Sequence, residues 1–465
     1  MSYLLRVGKE CNNNCILCGE LGFKAKTDKT LDKIKEEIDS VSDEILVLPC
    51  NADIRKDFIE ILKYVKDKGK KVLLHTNGRV FYYCSFCKEV SGHLDKVILH
   101  LYGNNPKTHD RRTKVNRSFL QAKQGQANFS GMKTMLWATE YTKKRPSEVV
   151  IEITSMCNFN CITCFNKASF AGKDRGRELS VAFVKDVIDS VADAGIPRVR
   201  FSGGEPLLHK GLFELMAYAK SKGLTVWLNT NATLVDENNV KELEKYVENV
   251  LVPMNGFDSN SDNLWTQTDG SFEDKLRGLK LLKKSSIPIV RAGTVATPDN
   301  IDNLEKIYAV VKELGLTHWE VYRPVSVKED DSDFNIQKLI TKLAKLSLDF
   351  GRVIPIANAY PFCLIDKDVA DIFSLGAYAD DGHSRIIIDP RGFAKPSYFI
   401  DEDVGDPRDI KNCWSNKFMK DMREFAFVPK TCQSCSVLET CRAGSRYAAK
   451  LFFGSYKELD PLFQK

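Results

Sequence analysis

The sequence predicts an α/β protein built from repeated strand–helix units, and three observations carry that expectation. Short apolar runs at 149–153, 199–201 and 225–228 each precede a helical pattern and end in polar residues, as strands of a β/α array do when a site lies at their carboxyl ends. The chain has 465 residues, 43% of them apolar, which is too long for one core and sufficient for two or three. Finally, the first 130 residues repeat the middle of the chain in one register.

The repeat is specific. Arg55-Lys56-Asp57-Phe58 and Lys68-Gly69 match Lys210-Gly211-Leu212-Phe213 and Lys222-Gly223, 154 positions on. Val72 to Asn77 matches Val226 to Asn231 at the same offset, and Thr113 and Ser118-Phe119 match Thr266 and Ser271-Phe272 at 153. Residues 1–130 therefore read as a truncated relative of the middle domain, with perhaps four strands. Residues 131–146 read as a connector, because Gln121 to Arg145 is polar with helical spacing. A middle domain over 147–345 and a tail over 346–465 complete the expected organisation.

Composition narrows the function class. A net charge of +6, with Lys and Arg scattered, does not call for nucleic acid. No apolar run reaches membrane length, and the start Met1-Ser2-Tyr3-Leu4-Leu5-Arg6 lacks a signal-peptide core. The expectation is a cytoplasmic protein with no membrane or nucleic-acid partner. In a reducing compartment, fourteen cysteines in close sets read as metal ligands rather than disulfides.

Their spacing supports this. Cys157-x3-Cys161-x2-Cys164 puts three thiols on one loop after a strand, able to wrap three irons of a cubane and leave the fourth open; zinc is the alternative for such a thiolate set. The next strand ends in Ser202-Gly203-Gly204-Glu205-Pro206. Paired glycines permit close approach to the backbone, with a plain tight turn as the bland alternative, and Glu205 can hold a cationic amino group. The spacing Cys-x3-Cys-x2-Cys also occurs at Cys11, Cys15 and Cys18. There, however, Cys50, Asn51 and Ala52 align with Gly204, Glu205 and Pro206. A side chain at Cys50 would crowd the approach, and Asn51 is neutral where a charge is wanted. The first copy thus reads as a closed site with Cys50 as candidate fourth ligand, holding an iron–sulfur cluster or zinc.

The central motifs resemble those of the radical S-adenosylmethionine enzymes. The resemblance implies a partial (β/α)6 TIM-like barrel, a [4Fe-4S] cluster on Cys157, Cys161 and Cys164, and S-adenosyl-L-methionine chelating the open iron. One electron would cleave the sulfonium to a 5'-deoxyadenosyl radical, which would take a hydrogen atom from the substrate. It further implies that Ser202 to Pro206 cradle the methionine part, with Glu205 on its amino group, Asn229 or Asn231 near the ribose, and Phe159 beside the adenine. A buried anchor of the loop is the alternative for Phe159. Arg291 and Arg323, on later strands, are candidates for binding a carboxylate or for plain solvated charges.

Cys432-x2-Cys435-x5-Cys441 resembles the SPASM/twitch type of small, irregular, cysteine-rich auxiliary-cluster domain. This chain departs from that pattern with Ser397 and Ser445 at two cysteine positions. One auxiliary cluster is therefore expected, with Cys363 or Cys413 as its fourth ligand and a zinc knuckle as the alternative. The total expectation is three clusters: one catalytic, one C-terminal, one N-terminal. By the same resemblance the substrate is a peptide or protein, with a tetrapyrrole or small metabolite as runner-up and a non-catalytic electron-transfer scaffold as the third class. A low-potential donor such as ferredoxin or flavodoxin would supply electrons.

Overall fold

The computed structural model describes residues 2–8, 10–13, 15, 29–102, 106–136, 145–162, 164, 176–316, 318–325, 334–350, 353–365, 373 and 382–464. They form two compact units, Met1–Glu140 with Ser347–Val353, and Tyr141–Leu346 with Ile354–Lys465.

The first unit is a five-stranded sheet, all parallel and in chain order: β1 Ser2–Leu4, β2 Ile45–Leu48, β3 Lys71–Thr76, β4 Lys96–Leu101 and β5 Lys133–Leu136. Thr30 caps the helix Leu31–Ser40 by accepting from Lys33 N–H. The apolar faces of this helix and of Phe58–Asp67 bury Ile34, Ile38, Ile61, Leu62 and Val65 with Leu46, Leu48, Val72 and Leu74 of the strands. The expected four strands are five. The helix Ser118–Asn128 stops at Phe129, and Lys133–Leu136 then pairs with β4 inside the segment expected to be a helical connector. A four-residue edge strand is too short to show a period-two pattern, which is why the helical spacing before it dominated. Residues 137–144 of that connector lie outside the described residues.

The second unit is an eight-stranded sheet: β6 Glu148–Glu152, β7 Arg198–Ser202, β8 Thr225–Asn229, β9 Val247–Pro253, β10 Ile289–Val295, β11 His318–Tyr322, β12 Arg385–Ile388 and β13 Ala394–Lys395. Strands β6 to β11 run parallel in chain order; β12 joins the far side of β6 in parallel, and β13 returns antiparallel. Residues 354–465, expected as a separate domain after 345, thus share one compact unit with the central strands. The reason is β12, which continues the sheet past its first strand.

Alternation sorts the faces. Val149, Ile151, Val199, Phe201, Val226 and Leu228 are buried on one. Helices cover this face, as the stack of Tyr308 on Trp319 at 6.0 Å shows for helix Leu304–Glu313 and β11. The opposite face carries Glu148, Arg200, Trp227, Asn249, Arg291 and Glu320.

The repeat holds at atomic detail. Lys68 and Lys222 N–H donate to the carbonyls of Tyr64 and Tyr218, both at 3.2 Å. Thr113 and Ser118 hydroxyls meet at 2.6 Å, as Thr266 and Ser271 do at 2.7 Å. Among the described residues no helix is long and apolar enough to cross a membrane.

Candidate functional site

The central cysteine loop leaves β6 and is clamped at both ends. Gly204 N–H donates to Thr154 O and Glu205 N–H to Met156 O, both at 2.7 Å. These bonds draw the backbones so close that a Cβ on Gly203 would lie 2.4 Å from Thr154 O, and one on Gly204 2.0 Å from Met156 O. The paired glycines are therefore required by the chain's own loop, whose backbone makes the close approach. Farther along, Asn160 and Ile162 N–H donate to Thr266 and Trp265 carbonyls at 3.0 Å, seating the loop against helix Ser259–Thr266.

Cys157, Cys161 and Cys164 are all partly buried on this loop. Phe159 N–H donates to Cys157 Sγ at 3.4 Å. Burial pushes the thiols of Cys157 and Cys161 up to about 11 and about 12, and each is raised further by the charge of its neighbours. Three thiols within mutual electrostatic range and costly to ionise alone suit a site where a metal stabilises the thiolates. The donor set and the clamped loop fit a cluster with three protein ligands.

Glu205 is the keystone of the clamp. Fully buried, its carboxylate accepts from Leu207 N–H at 3.0 Å, Thr230 Oγ1 at 2.7 Å and Asn231 N–H at 2.7 Å. Burial nonetheless pushes it up to about 7, with those three donors opposing the rise. Pro206 opens the short helical turn Pro206–Leu208 that follows, and Ser202 is buried at the end of β7. The expected contact of Glu205 with an amino group thus meets a carboxylate already taking bonds from the ends of β7 and β8.

Asn231, expected near a ribose, has its side chain bonded within the chain. Its Nδ2 donates to Asn158 Oδ1 at 2.7 Å, and its Oδ1 accepts from Thr233 N–H and Oγ1 at 3.0 and 2.7 Å. Asn158 also donates to Thr233 at 2.8 Å. The Asn231 amide therefore braces the cysteine loop, because Asn158 within that loop supplies a short polar partner. Asn229 is half-buried, with Oδ1 3.5 Å from Arg200. Phe159 is buried, with Lys275 Nζ 5.8 Å from its ring centroid and that ammonium held 2.6 Å from Asp262. Sequence reading missed Asn158, Thr233, Asp262 and Lys275; Asn229-x-Asn231-x-Thr233 after a strand was the available signal.

The two arginines expected to bind a carboxylate have internal partners. Arg291 donates to Asn249 at 2.8 Å and is ion-paired with Glu320. Arg323 is buried and pairs with Asp460 at 2.9 Å, tying the tail to β11, so it is not a solvated charge.

In the tail the structure separates the two candidate fourth ligands. Cys363 feels the charges of Cys441, Cys432 and Cys435, after the burial that raises it. Phe362 N–H donates to Cys441 Sγ at 3.3 Å, holding the two segments together. Cys413 lies elsewhere. Its thiol is buried, donates to Asp406 O at 3.1 Å and is pushed up to about 12 by burial and by Asp409, Asp403 and Asp406. The quartet Cys363, Cys432, Cys435 and Cys441 fits a four-thiolate cluster, whereas Cys413 is a core residue. The two serines at absent cysteine positions have structural work. Ser445 caps the helix Arg446–Phe453, and Ser397 Oγ accepts from Phe399 and Ile400 N–H. Among the described residues no three His, Cys, Asp or Glu side chains are drawn tightly enough for a single metal ion.

The N-terminal loop copies part of the central one. Asn13 N–H meets Cys11 Sγ at 3.5 Å, and Asn77 donates to Asn12 at 2.6 Å, as Phe159 and Asn231 do in the second unit. Cys15 is buried, Cys50 partly buried at the end of β2, and Cys18 lies outside the described residues. Asn51, aligned with Glu205, instead donates to Gly8 O at 2.6 Å. The carboxylate is not lost but displaced: Thr76 Oγ1 donates to Asp53 at 2.5 Å, as Thr230 does to Glu205. A single-offset alignment hides this two-residue shift.

Burial pushes Asp53 up to about 7. A carboxyl raised on folding stabilises fully below its unfolded value and loses that contribution as pH rises through its folded value. Between about pH 4 and 7, Asp53 is expected to remove on the order of 3 kcal/mol of stability, and Asp53→Asn to abolish that part of the slope. Denaturant unfolding of both proteins across that range checks it.

The thiol loop lies on a parallel β/α sheet, and residues 151–311, which include it, match the family model described as "Radical SAM superfamily". An AdoMet-dependent heme synthase of Methanosarcina barkeri is 33% identical over 190 residues, 40% of this chain and 54% of that protein. Mycofactocin maturase MftC of Mycolicibacterium smegmatis is 25% identical over 342 residues, 65% of this chain and 78% of that one. The chain thus spans about half the length of the heme synthase it matches. Among solved structures, anSMEcpe with bound AdoMet and Kp18Cys peptide shares the fold at a TM-score of 0.55 and 20% identity, over 68% of this chain and 94% of that one. Streptococcus suis SuiB bound to precursor peptide SuiA does so at 0.54 and 15%, over 83% and 92%.

Proposed function

We propose that this protein is a radical S-adenosylmethionine enzyme whose reactive site is the loop of Cys157, Cys161 and Cys164, and whose substrate is a peptide or protein. The observation that carries the reading is the three-thiol loop clamped backbone-to-backbone on Gly203 and Gly204. When bound there, a [4Fe-4S] cluster with S-adenosylmethionine supplies a 5'-deoxyadenosyl radical that takes a hydrogen atom from the substrate.

The chain's own residues position and exclude. Cys157, Cys161 and Cys164 would hold the cluster, and three protein thiolates would leave it able to bind S-adenosylmethionine. Glu205 fixes the ends of β7 and β8 through Thr230 and Asn231, and Asn158 fixes the loop to Asn231. Phe159 is a buried wall beside the loop. Cys363, Cys432, Cys435 and Cys441 would hold an auxiliary cluster, and Cys11, Cys15, Cys18 and Cys50 would hold a closed one in the N-terminal unit. A low-potential donor such as ferredoxin or flavodoxin reduces the enzyme in the cytoplasm.

Support for a peptide comes from MftC, a maturase aligned over 65% of this chain, and from the peptide-bound SuiB and anSMEcpe folds. The second reading, a tetrapyrrole, is favoured by the heme synthase relatives and by the arginines around Glu148 on the sheet. Iron-loaded, dithionite-reduced protein is expected to form 5'-deoxyadenosine from S-adenosylmethionine, measured by chromatography; no product from fully loaded protein would contradict the assignment.

A further inference from the structure

The face of the second sheet that carries Glu148 and Arg200 gathers three guanidiniums around one carboxylate. Glu148 on β6 is the shared partner of three guanidiniums, with Arg200 at 3.0 Å, Arg385 at 3.3 Å and Arg198 at 3.7 Å. Among the described residues Arg198 and Arg200 have Glu148 as their one carboxylate, so the pair carries a positive excess in a largely buried setting, which favours an anion that enters it. Arg198 and Arg200 both stack on Trp227, their guanidinium carbons 3.8 and 4.8 Å from its ring centroid. Arg200 also has a buried Nε with no hydrogen-bond partner among the described residues, while the Nε of Arg198 faces Glu148. Glu152, the next carboxyl on the same face of β6, does not restore balance, because burial pushes it up to about 8.

The face is also reachable. Trp227, Asn229, Leu251 and Tyr322 on it are partly exposed, while their helix-facing neighbours are buried. At about 3.3 Å per residue, Arg200 lies roughly 7 Å and Arg198 roughly 13 Å along β7 from Ser202, where the cysteine loop is clamped.

We propose that Arg198 and Arg200 receive a carboxylate of the substrate, placing the reacting carbon toward the cysteine loop about 10 Å away. The proposal rests on the function above and narrows its substrate to one bearing an anionic group at that distance. Acidic peptide side chains and the acid arms of a macrocycle share this chemistry.

Calorimetric titration of iron-loaded protein tests it with two pairs of probes: coproporphyrin III against its tetramethyl ester, and a Glu-containing decapeptide against its Gln counterpart. At least one acid is expected to bind about tenfold more tightly than its neutral partner, and the preference to shrink as salt rises. Arg198→Gln should cost that acid about tenfold, and Arg198→Lys, which keeps the charge, distinctly less. The arm that shows the preference identifies the source. If Arg198→Gln fails to fold by circular dichroism, the salt dependence of the acid and ester arms decides alone. Equal binding of acid and neutral partners in both arms overturns the proposal. Acid-selective binding without 5'-deoxyadenosine formation would sink the enzyme assignment but not this site; the reverse would sink the site alone.

Discussion

Replacing Gly204 with alanine is expected to empty the central site of about four irons per chain while leaving the other clusters loaded. The new methyl would stand 2.0 Å from Met156 O and 2.5 Å from its carbonyl carbon, and both belong to backbone that rotamer changes cannot move. Relief requires breaking the hydrogen bonds Gly204 N–H to Thr154 O and Glu205 N–H to Met156 O, which set the position of Cys157. Overpacking and the two lost bonds together should cost about 2–4 kcal/mol. Gly223→Ala is the control: it has a φ of +76° but nothing within 4 Å of its added Cβ. It should cost about 1 kcal/mol and no iron. Iron and sulfide assays beside denaturant unfolding separate the two outcomes.

Cys363→Ala is expected to lose the tail cluster, about four irons, with the central site intact, whereas Cys413→Ala keeps all its iron. The difference follows from surroundings. Cys363 interacts with Cys432, Cys435 and Cys441, while Cys413 points its thiol at Asp406 O in a closed pocket. Emptying that pocket should cost about 1–2 kcal/mol through the cavity and the lost bond. Equal iron in Cys363→Ala and the parent protein would remove Cys363 from the ligand set.

The strand–helix alternation and the repeat were legible because a parallel sheet writes continuous apolar runs, Val149 to Ile153 and Val199 to Phe201 among them. The thiol loop and Gly203-Gly204 were legible for the same local reason: ligand spacing and close backbone approach are properties of neighbouring residues. What escaped was long-range. β5 is four residues at a sheet edge, and β12 joins β6 across more than two hundred residues of chain. Asp53 takes a role that alignment gives to Asn51, because the buried Thr76 hydroxyl, and not the sequence register, selects the acid. Arg323 reads as a surface cation until Asp460 is brought to it, and the bond of Asn231 to Asn158 is formed only in the fold.

Of the two matching cysteine loops, the one at Cys157, Cys161 and Cys164 is proposed as reactive. Formation of 5'-deoxyadenosine by the reduced, reconstituted Cys161→Ala and Cys15→Ala proteins tests it most directly. The expected result is loss to background in Cys161→Ala and retention of product formation in Cys15→Ala. Product from Cys161→Ala at the parent rate, or its loss in Cys15→Ala alone, would contradict the claim and move the radical chemistry to the N-terminal loop.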